Sequence, residues 1–230
     1  MIVVDCEQGS EEWHAARAGV ITASMFKVCR QRLARGPNRG DYKTDAHNYA
    51  FQIAMERISG EVSEGGFETR PMRRGRELEP AARAAHELIA GIEVTQVGLV
   101  KTDDGRFGAS PDGFIEDSGG AEYKCLVSPA AIRAVVLEFD LAEYMDQIQG
   151  GMWITERSWW HFGLYCPALE PVGKDLIVHP VQRDEAYINA LVEDLEEFDA
   201  LVREYEVRIR QAEMWRGAPP EPNPKPVSPA

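Results

Sequence analysis

The chain has 230 residues, 44% hydrophobic and 27% charged, with a formal net charge of −13. That length suits one domain with a full core, and the composition is that of a soluble globular protein. No apolar run approaches the roughly 18 residues a membrane helix needs, and the opening MIVVDCEQGS lacks a basic start and a cleavage site. A cytoplasmic chain with no membrane partner is therefore expected. Cys6, Cys29, Cys125 and Cys166 are scattered without a CxxC pair, so free thiols are expected rather than a zinc or iron–sulfur site.

At face value the net charge argues against a nucleic-acid partner. The charge is unevenly spread, however. KVCRQRLARGPNRGDYK (27–43) is mostly basic, RPMRRGR (70–76) carries four arginines, and the charged residues of 185–206 are almost all acidic. Such asymmetry permits a local anion site on an acidic body. Two solvated loops and one solvated helix face would look the same in the sequence.

In chain order, Ser10 is placed to cap a short helix over 11–17, with Glu11 and Glu12 in its first turn. TASMFKVCRQR predicts a second helix opening at Thr22. The Gly/Pro/Arg stretch 35–41 is a loop, and DAHNYAFQIAMERIS is a helix stopped by Gly60. ELEPAARAAHELIA is another helix, ended by Gly91. The period then changes from helical to alternating: IEVTQVGLVKT, RFGAS, DGFIED and AEYKCL read as a run of antiparallel strands. Ser128–Pro129 opens a helix, and another covers about 141–155. Strands SWWHFGLYC and DLIVHPV follow, then a long acidic helix over about 184–213. The end, GAPPEPNPKPVSPA, is proline-rich and expected to be extended. These elements make an α/β fold with a mixed sheet flanked by helices.

Chemistry concentrates in GASPDGFIEDSGGAEYKCL (108–126). Residues i and i+2 of a strand share a face, so Glu122 and Lys124 are neighbours, while Tyr123 and Cys125 point the other way. A short turn returns the chain antiparallel, and Asp112 begins the preceding strand. If Asp112 lies beside Glu122, two carboxylates converge with an ammonium adjacent. A divalent cation would resolve that conflict, and hard oxygen ligands suit Mg²⁺ or Mn²⁺. Metal-assisted hydrolysis of a phosphodiester is the reaction such a set supports. Taken alone, the ExK triplet is equally a surface hairpin with a Glu–Lys ion pair. Trp153, Trp159, Trp160 and Tyr165 are expected in a core or subunit interface rather than stacked on bases, and His161 and His179 as ordinary strand residues.

With the SPDG turn before it, the ExK strand resembles the PD-(D/E)xK nuclease core. EEWHAARAGVITAS (11–24), RGRELEPAAR (74–83), GASPDG (108–113), EYKC (122–125) and YMDQIQGGMWIT (144–155) occur in the order and approximate spacing of the bacteriophage lambda exonuclease, or YqaJ-like viral recombinase, family. The resemblance runs from about residue 7 to about 206. It implies a restriction-endonuclease-like nuclease domain over 1–216, with 217–230 as a flexible tail, in a phage or prophage protein acting in a bacterial cell. It further implies a Mg²⁺-dependent 5′→3′ exonuclease, processive on one strand of duplex DNA from its end, with two ions per site and Mn²⁺ as a substitute. A ring-shaped homotrimer and a single-strand annealing protein as recombination partner are also implied. An endonuclease on the same core, or a non-catalytic module that binds DNA ends, are the alternatives.

Carried across motif by motif, the resemblance makes Asp112 and Glu122 metal ligands with the Tyr123 backbone carbonyl, and Lys124 the catalytic lysine. Glu79 would serve the metal directly or through water. Arg17, Thr22, Ser24, Ser110 and Gln147 would hold the terminal 5′-phosphate; these are donors suited to phosphate oxygens. Thr22 and Ser24 are also expected at a helix N-terminus, a natural anion site. Met72 matches an apolar wedge that splits the strands, and Arg32, Arg35 or Arg39 would guide the unpaired end. A ring would reconcile the acidic body with DNA by confining basic residues to its lining.

Overall fold

The computed structural model describes residues 1–63 and 70–212. The proline-rich tail lies outside the described residues, as does the side chain of Met72. The helices are α1 (Glu11–Arg17), α2 (Phe26–Cys29), α3 (Thr44–Ser59), α4 (Arg70–Ala90), α5 (Pro129–Leu137), α6 (Met145–Thr155) and α7 (Glu185–Gln211). Strands β1 (Ile2–Val4), β2 (Ile21–Thr22), β3 (Leu99–Lys101) and β4 (Phe107–Ala109) form one sheet in the order β1-β3-β4-β2. Strands β5 (Gly113–Ile115), β6 (Gly119–Lys124), β7 (Trp159–Tyr165) and β8 (Leu176–Gln182) form a second in sequential order. Both sheets are mixed: β2 pairs parallel to β4 and β6 parallel to β7, the other pairings being antiparallel.

The expected antiparallel run from 92 to 126 is thus divided. Only Thr95 of the segment before residue 97 pairs, in a single bridge to Phe114, and β4 does not pair with β5. The break falls at Ser110–Pro111. Proline brings no N–H to a ladder and holds the preceding residue extended, so the chain leaves the first sheet there and enters the second. The first sheet packs on α2, α3, α6 and α7 through Ile21, Phe26, Ile53, Val100, Phe107, Phe198 and Val202.

The second sheet is covered on both faces. On β7, Trp160, Phe162 and Leu164 face Val135 of α5 and Ile148 and Met152 of α6. From the opposite face Tyr123, Ala121 and Ile115 meet Ala82 of α4, with Trp159 and Tyr165 packed alongside. Under α4, the Tyr123 hydroxyl lies 2.8 Å from His86 Nδ1, and His86 Nε2 lies 3.0 Å from His161 Nδ1. Burial, with His161 next to it, pushes the His86 pKa down to about 4, so the chain of rings is neutral in the folded protein.

Two elements differ from the sequence pattern. The helix expected to open at Thr22 is a 3₁₀ turn, Ala23–Met25, followed by the four-residue α2, and Thr22 itself sits in β2. The helix-N-terminus reading of Thr22 and Ser24 therefore falls, because a helix this short has almost no dipole. In the other direction, α4 begins seven residues before Glu77; the arginine-rich run shows no apolar period by which to recognise its helix.

The charge asymmetry resolves into a seam. Arg30 binds Asp146 and Asp194 at 2.6 and 2.7 Å, Arg32 binds Glu197 at 2.6 Å, and Lys27 binds Glu143 at 2.5 Å. Fully buried Asp199 on α7 receives Arg57, Arg106 and Arg203 at 2.8, 2.9 and 3.0 Å. Two cations of the basic stretch, Arg30 and Arg32, are thus counterparts of the acidic helix, while Arg35 and Arg39 stay exposed on the loop.

Candidate active site

The PD turn and the ExK strand meet as neighbours. Gly113 pairs with Ala121, which sets Asp112 opposite Glu122, and the Asp112 N–H donates to the Ala121 carbonyl at 3.2 Å. Asp112 Oδ2 accepts from the Tyr123 backbone N–H at 2.5 Å. Glu122, only 6% exposed, accepts at one oxygen from Lys124 Nζ at 2.8 Å and from Gln147 Nε2 at 2.6 Å. Lys124 Nζ also donates to Gln147 Oε1 at 3.0 Å. The Glu–Lys contact is therefore not an isolated surface pair: α6 closes it into a triangle beside a second carboxylate.

Burial, reinforced by the charges of Glu122 and Glu79, holds the Asp112 carboxyl well above its ordinary range, despite Lys124 and the Tyr123 N–H. Burial alone would lower Lys124; Glu122 and Asp112 outweigh it and hold the ammonium above its usual value. Glu79 is also raised by burial, opposed by Arg83, which it meets at 2.5 Å one helical turn away. Negative charge is thus crowded beyond what one lysine neutralises. Among the described residues no three His, Cys, Asp or Glu side chains form a metal cage by themselves. The strand pair offers two carboxylates, and Glu79 is turned to Arg83. Hard oxygens with a charge deficit of this sign fit a divalent cation.

One cleft of about 210 Å³ joins these acids to the anion donors: its walls include Asp112, Glu122, Arg17, Thr22, Ser24, Ser110 and Gln147. Arg17, Thr22 and Ser24 come there from α1, β2 and the 3₁₀ turn, Ser110 from the end of β4 and Gln147 from α6. Arg17 ends α1, whose Ser10 cap accepts from the Trp13 N–H at 3.1 Å. The following turn needs Gly19, at φ +73° and against Arg57, where a Cβ would come within 2.7 Å of Arg57 Cγ. Helix α3 grips this turn: Glu56 accepts from the Gly19 N–H at 3.0 Å, Arg57 donates to the Gly19 carbonyl at 2.9 Å, and Tyr49 accepts from the Thr22 N–H at 3.1 Å. Arg17 Nη2, Thr22 Oγ1 and Ser24 Oγ then lie in a row with separations of 3.4 Å. Among the described residues no carboxylate lies within ion-pair distance of Arg17; burial pulls its pKa down, while Tyr49 and Glu56 oppose the shift. A sheltered guanidinium among hydroxyls is an anion receptor by its chemistry.

Among the wall residues whose side chains make hydrogen bonds there, sequence reasoning missed Gln8 and Trp13. Trp13 donates from Nε1 to Ser110 Oγ at 2.9 Å, and Arg17 lies over its ring at 4.0 Å. Trp13 belongs to the EEWHAAR motif, which was the signal available; Gln8 lies outside it. Arg32 is not in the cleft wall; it lies over the Tyr42 ring at 3.5 Å and is paired with Glu197. Arg35 and Arg39 are exposed on the loop.

A family model for the YqaJ-like viral recombinase domain matches residues 12–158. The chain belongs to that family. Among solved structures, the alkaline exonuclease LHK-Exo of Laribacter hongkongensis is 33% identical, with 88% of this chain and 97% of that one covered and a TM-score of 0.73. The structure of LHK-Exo in complex with dAMP is similar at 32% identity, 88% and 95% coverage and a TM-score of 0.73. ExoD of Escherichia coli (strain K12) is 32% identical over 75 residues, which are 32% of this chain and 84% of ExoD. The fold is the PD-(D/E)xK fold of these neighbours. Family and neighbours together support a nuclease function, and nucleases of this kind ordinarily use divalent metals. No described helix is long and apolar enough to cross a membrane.

Proposed function

We propose that this protein is a Mg²⁺-dependent exonuclease that degrades one strand of duplex DNA from a 5′-phosphorylated end, releasing mononucleotides and leaving a 3′ overhang. The carrying observation is that one cleft holds both the acid pair and an anion receptor that has no carboxylate partner among the described residues. A terminal phosphate on Arg17, Thr22, Ser24 and Ser110 would place the adjoining phosphodiester toward Asp112 and Glu122. That dAMP binds LHK-Exo supports a nucleoside monophosphate as product.

Asp112, Glu122 and the Tyr123 carbonyl would hold the metal, with Mn²⁺ as a substitute and a second ion in the same site. When bound, the metal neutralises charge at the phosphoryl group and acidifies water. Lys124, 2.8 Å from Glu122, would orient the attacking water or donate to developing negative charge. Gln147 keeps Glu122 and Lys124 aligned from α6. Glu79 would turn from Arg83 to the site once substrate is present. A homotrimeric ring around DNA and an annealing protein that takes up the overhang complete the proposal, which assigns the chain to homologous recombination of the phage type.

The test is one digestion series of linear duplex with 5′-phosphate or 5′-hydroxyl ends beside a covalently closed circle, in Mg²⁺ and in chelator. Loss of the phosphorylated linear substrate alone, and only with metal, is expected. Cutting of the circle would make the protein an endonuclease, and no digestion in metal would leave end binding without catalysis.

A further inference from the structure

The segment Ala109–Asp112 carries Ser110 on the phosphate side of the cleft and Asp112 on the metal side, one residue apart on either side of Pro111. Between the end of β4 at Ala109 and the bond from the Asp112 N–H to Ala121, Ser110 and Pro111 belong to neither sheet. The Pro111 carbonyl is instead bound by Gln8 Nε2 at 2.8 Å, and the same amide group donates to the Val97 carbonyl at 2.8 Å. Two carbonyl acceptors leave no choice of amide orientation: only the NH₂ end can satisfy both. The amide reaches them because Gly98 lets the N-terminal strand press close; a Cβ there would come within 2.4 Å of the Cys6 carbonyl oxygen. From the other side Trp13 Nε1 fixes Ser110 Oγ.

We propose that Gln8 is a positioning residue that couples recognition of the terminal phosphate to chemistry at Asp112. The coupling rests on the function proposed above. Gln8 holds the carbonyl end of the Pro111–Asp112 peptide, whose N–H end is held by the Ala121 carbonyl, so a shift of Pro111 moves Ser110 and Asp112 together. A misplacement of about 1 Å costs on the order of 100-fold in rate. A residue that merely tethered the N-terminal strand would lower stability and leave both halves aligned.

The test compares Gln8→Met and Gln8→Glu, which keep the length of the side chain and remove its donors, with the unaltered protein and Asp112→Asn. Each is assayed for kcat and KM in Mg²⁺ on 5′-phosphate and 5′-hydroxyl duplexes, with melting temperature as the check on folding. Expected is a fall in kcat of about 10- to 100-fold on the phosphorylated end, with KM changed less. The preference for phosphate over hydroxyl should fall as well, and in an Arg17→Ala background Gln8→Met should lower kcat without further change in preference. A folded Gln8 variant with unchanged kcat and preference overturns the coupling while the unaltered protein's digestion upholds the nuclease. If either variant fails to fold, the other decides; if both melt below assay temperature, Gln8 is structural and the proposal is wrong. An unaltered protein that digests nothing sinks the function and the coupling together.

Discussion

The cleft and the α7 seam are both clusters of charge on one small fold, and they are built on opposite terms. In the seam every buried charge meets its opposite: Asp199 has three arginines, and Arg106 bridges Asp104, Glu196 and Asp199. In the cleft, like charges are put side by side. Asp112 is opposite Glu122, to which Lys124 is bound, and among the described residues no carboxylate lies within ion-pair distance of sheltered Arg17. A chain selected for stability alone would not keep the second arrangement, since uncompensated buried charge costs several kcal/mol. The cleft becomes electrostatically complete only with a cation and an anion added, which is what a metal-dependent phosphodiesterase supplies.

Breaking the cleft should therefore cost activity, and breaking the seam should cost stability. Asp112→Asn is the largest expected effect: degradation of linear duplex falls by about 1,000-fold or more, with melting temperature unchanged or raised because a repelled charge is removed. A large fall in melting temperature instead would erase the contrast. Asp199→Ala, by comparison, removes the buried carboxylate on which Arg57, Arg106 and Arg203 converge, while Arg57 keeps Glu206 and Arg106 keeps Asp104 and Glu196. The expected loss is about 3 kcal/mol, the low end for a broken buried pair, measured by urea unfolding at neutral pH, with kcat of the folded fraction retained. Next comes Arg17→Ala, which removes charge-assisted bonds worth about 1.5–3 kcal/mol. The discrimination between 5′-phosphate and 5′-hydroxyl ends should shrink by roughly 10- to 100-fold. Equal digestion of both ends by the unaltered protein would refute the anion receptor.

How much of this was legible beforehand follows the same division. Helix α1 and the α3 stop at Gly60 are written in local signals, the Ser10 cap and a left-handed glycine; the β5–β6 hairpin is written in alternation, with its turn at 116–118 and not at the two glycines that follow. The juxtaposition of Asp112 with Glu122 was a condition and not a consequence of the pattern: a turn at Ser118–Gly120 would set Asp112 opposite Leu126, whereas the turn lies at 116–118 and Gly119 and Gly120 belong to β6. The seam was not legible. Arg106 and Glu196 are ninety positions apart, and a basic loop facing an acidic helix leaves no periodic trace in either. Nor was the sheet change at Ser110–Pro111, where a proline that reads locally as a turn decides which sheet each strand joins. Gln8 was invisible for the same reason: its partners are the carbonyls of Val97 and Pro111, and backbone acceptors have no residue identity to match.

The smallest effect is the most discriminating for the basic loop. Arg32 has two possible roles, guiding the DNA end or serving the seam, and the geometry favours the second: its guanidinium is 2.6 Å from Glu197 and lies over the Tyr42 ring. A partly exposed pair of this kind is worth under about 1 kcal/mol, and its loss to alanine should be barely visible in melting. Its effect on DNA separates the roles more sharply than its effect on stability. A cation that contacts a phosphate contributes about one unit to the slope of log affinity against log salt. An arginine already neutralised by Glu197 contributes none. Arg32→Ala should therefore leave both the affinity for phosphorylated duplex ends and its salt slope within error of the unaltered protein, while Arg17→Ala lowers the slope. A slope reduced equally by both substitutions would move Arg32 from the seam to the DNA path, and the loop would then lend its charge to the substrate despite its acidic neighbours.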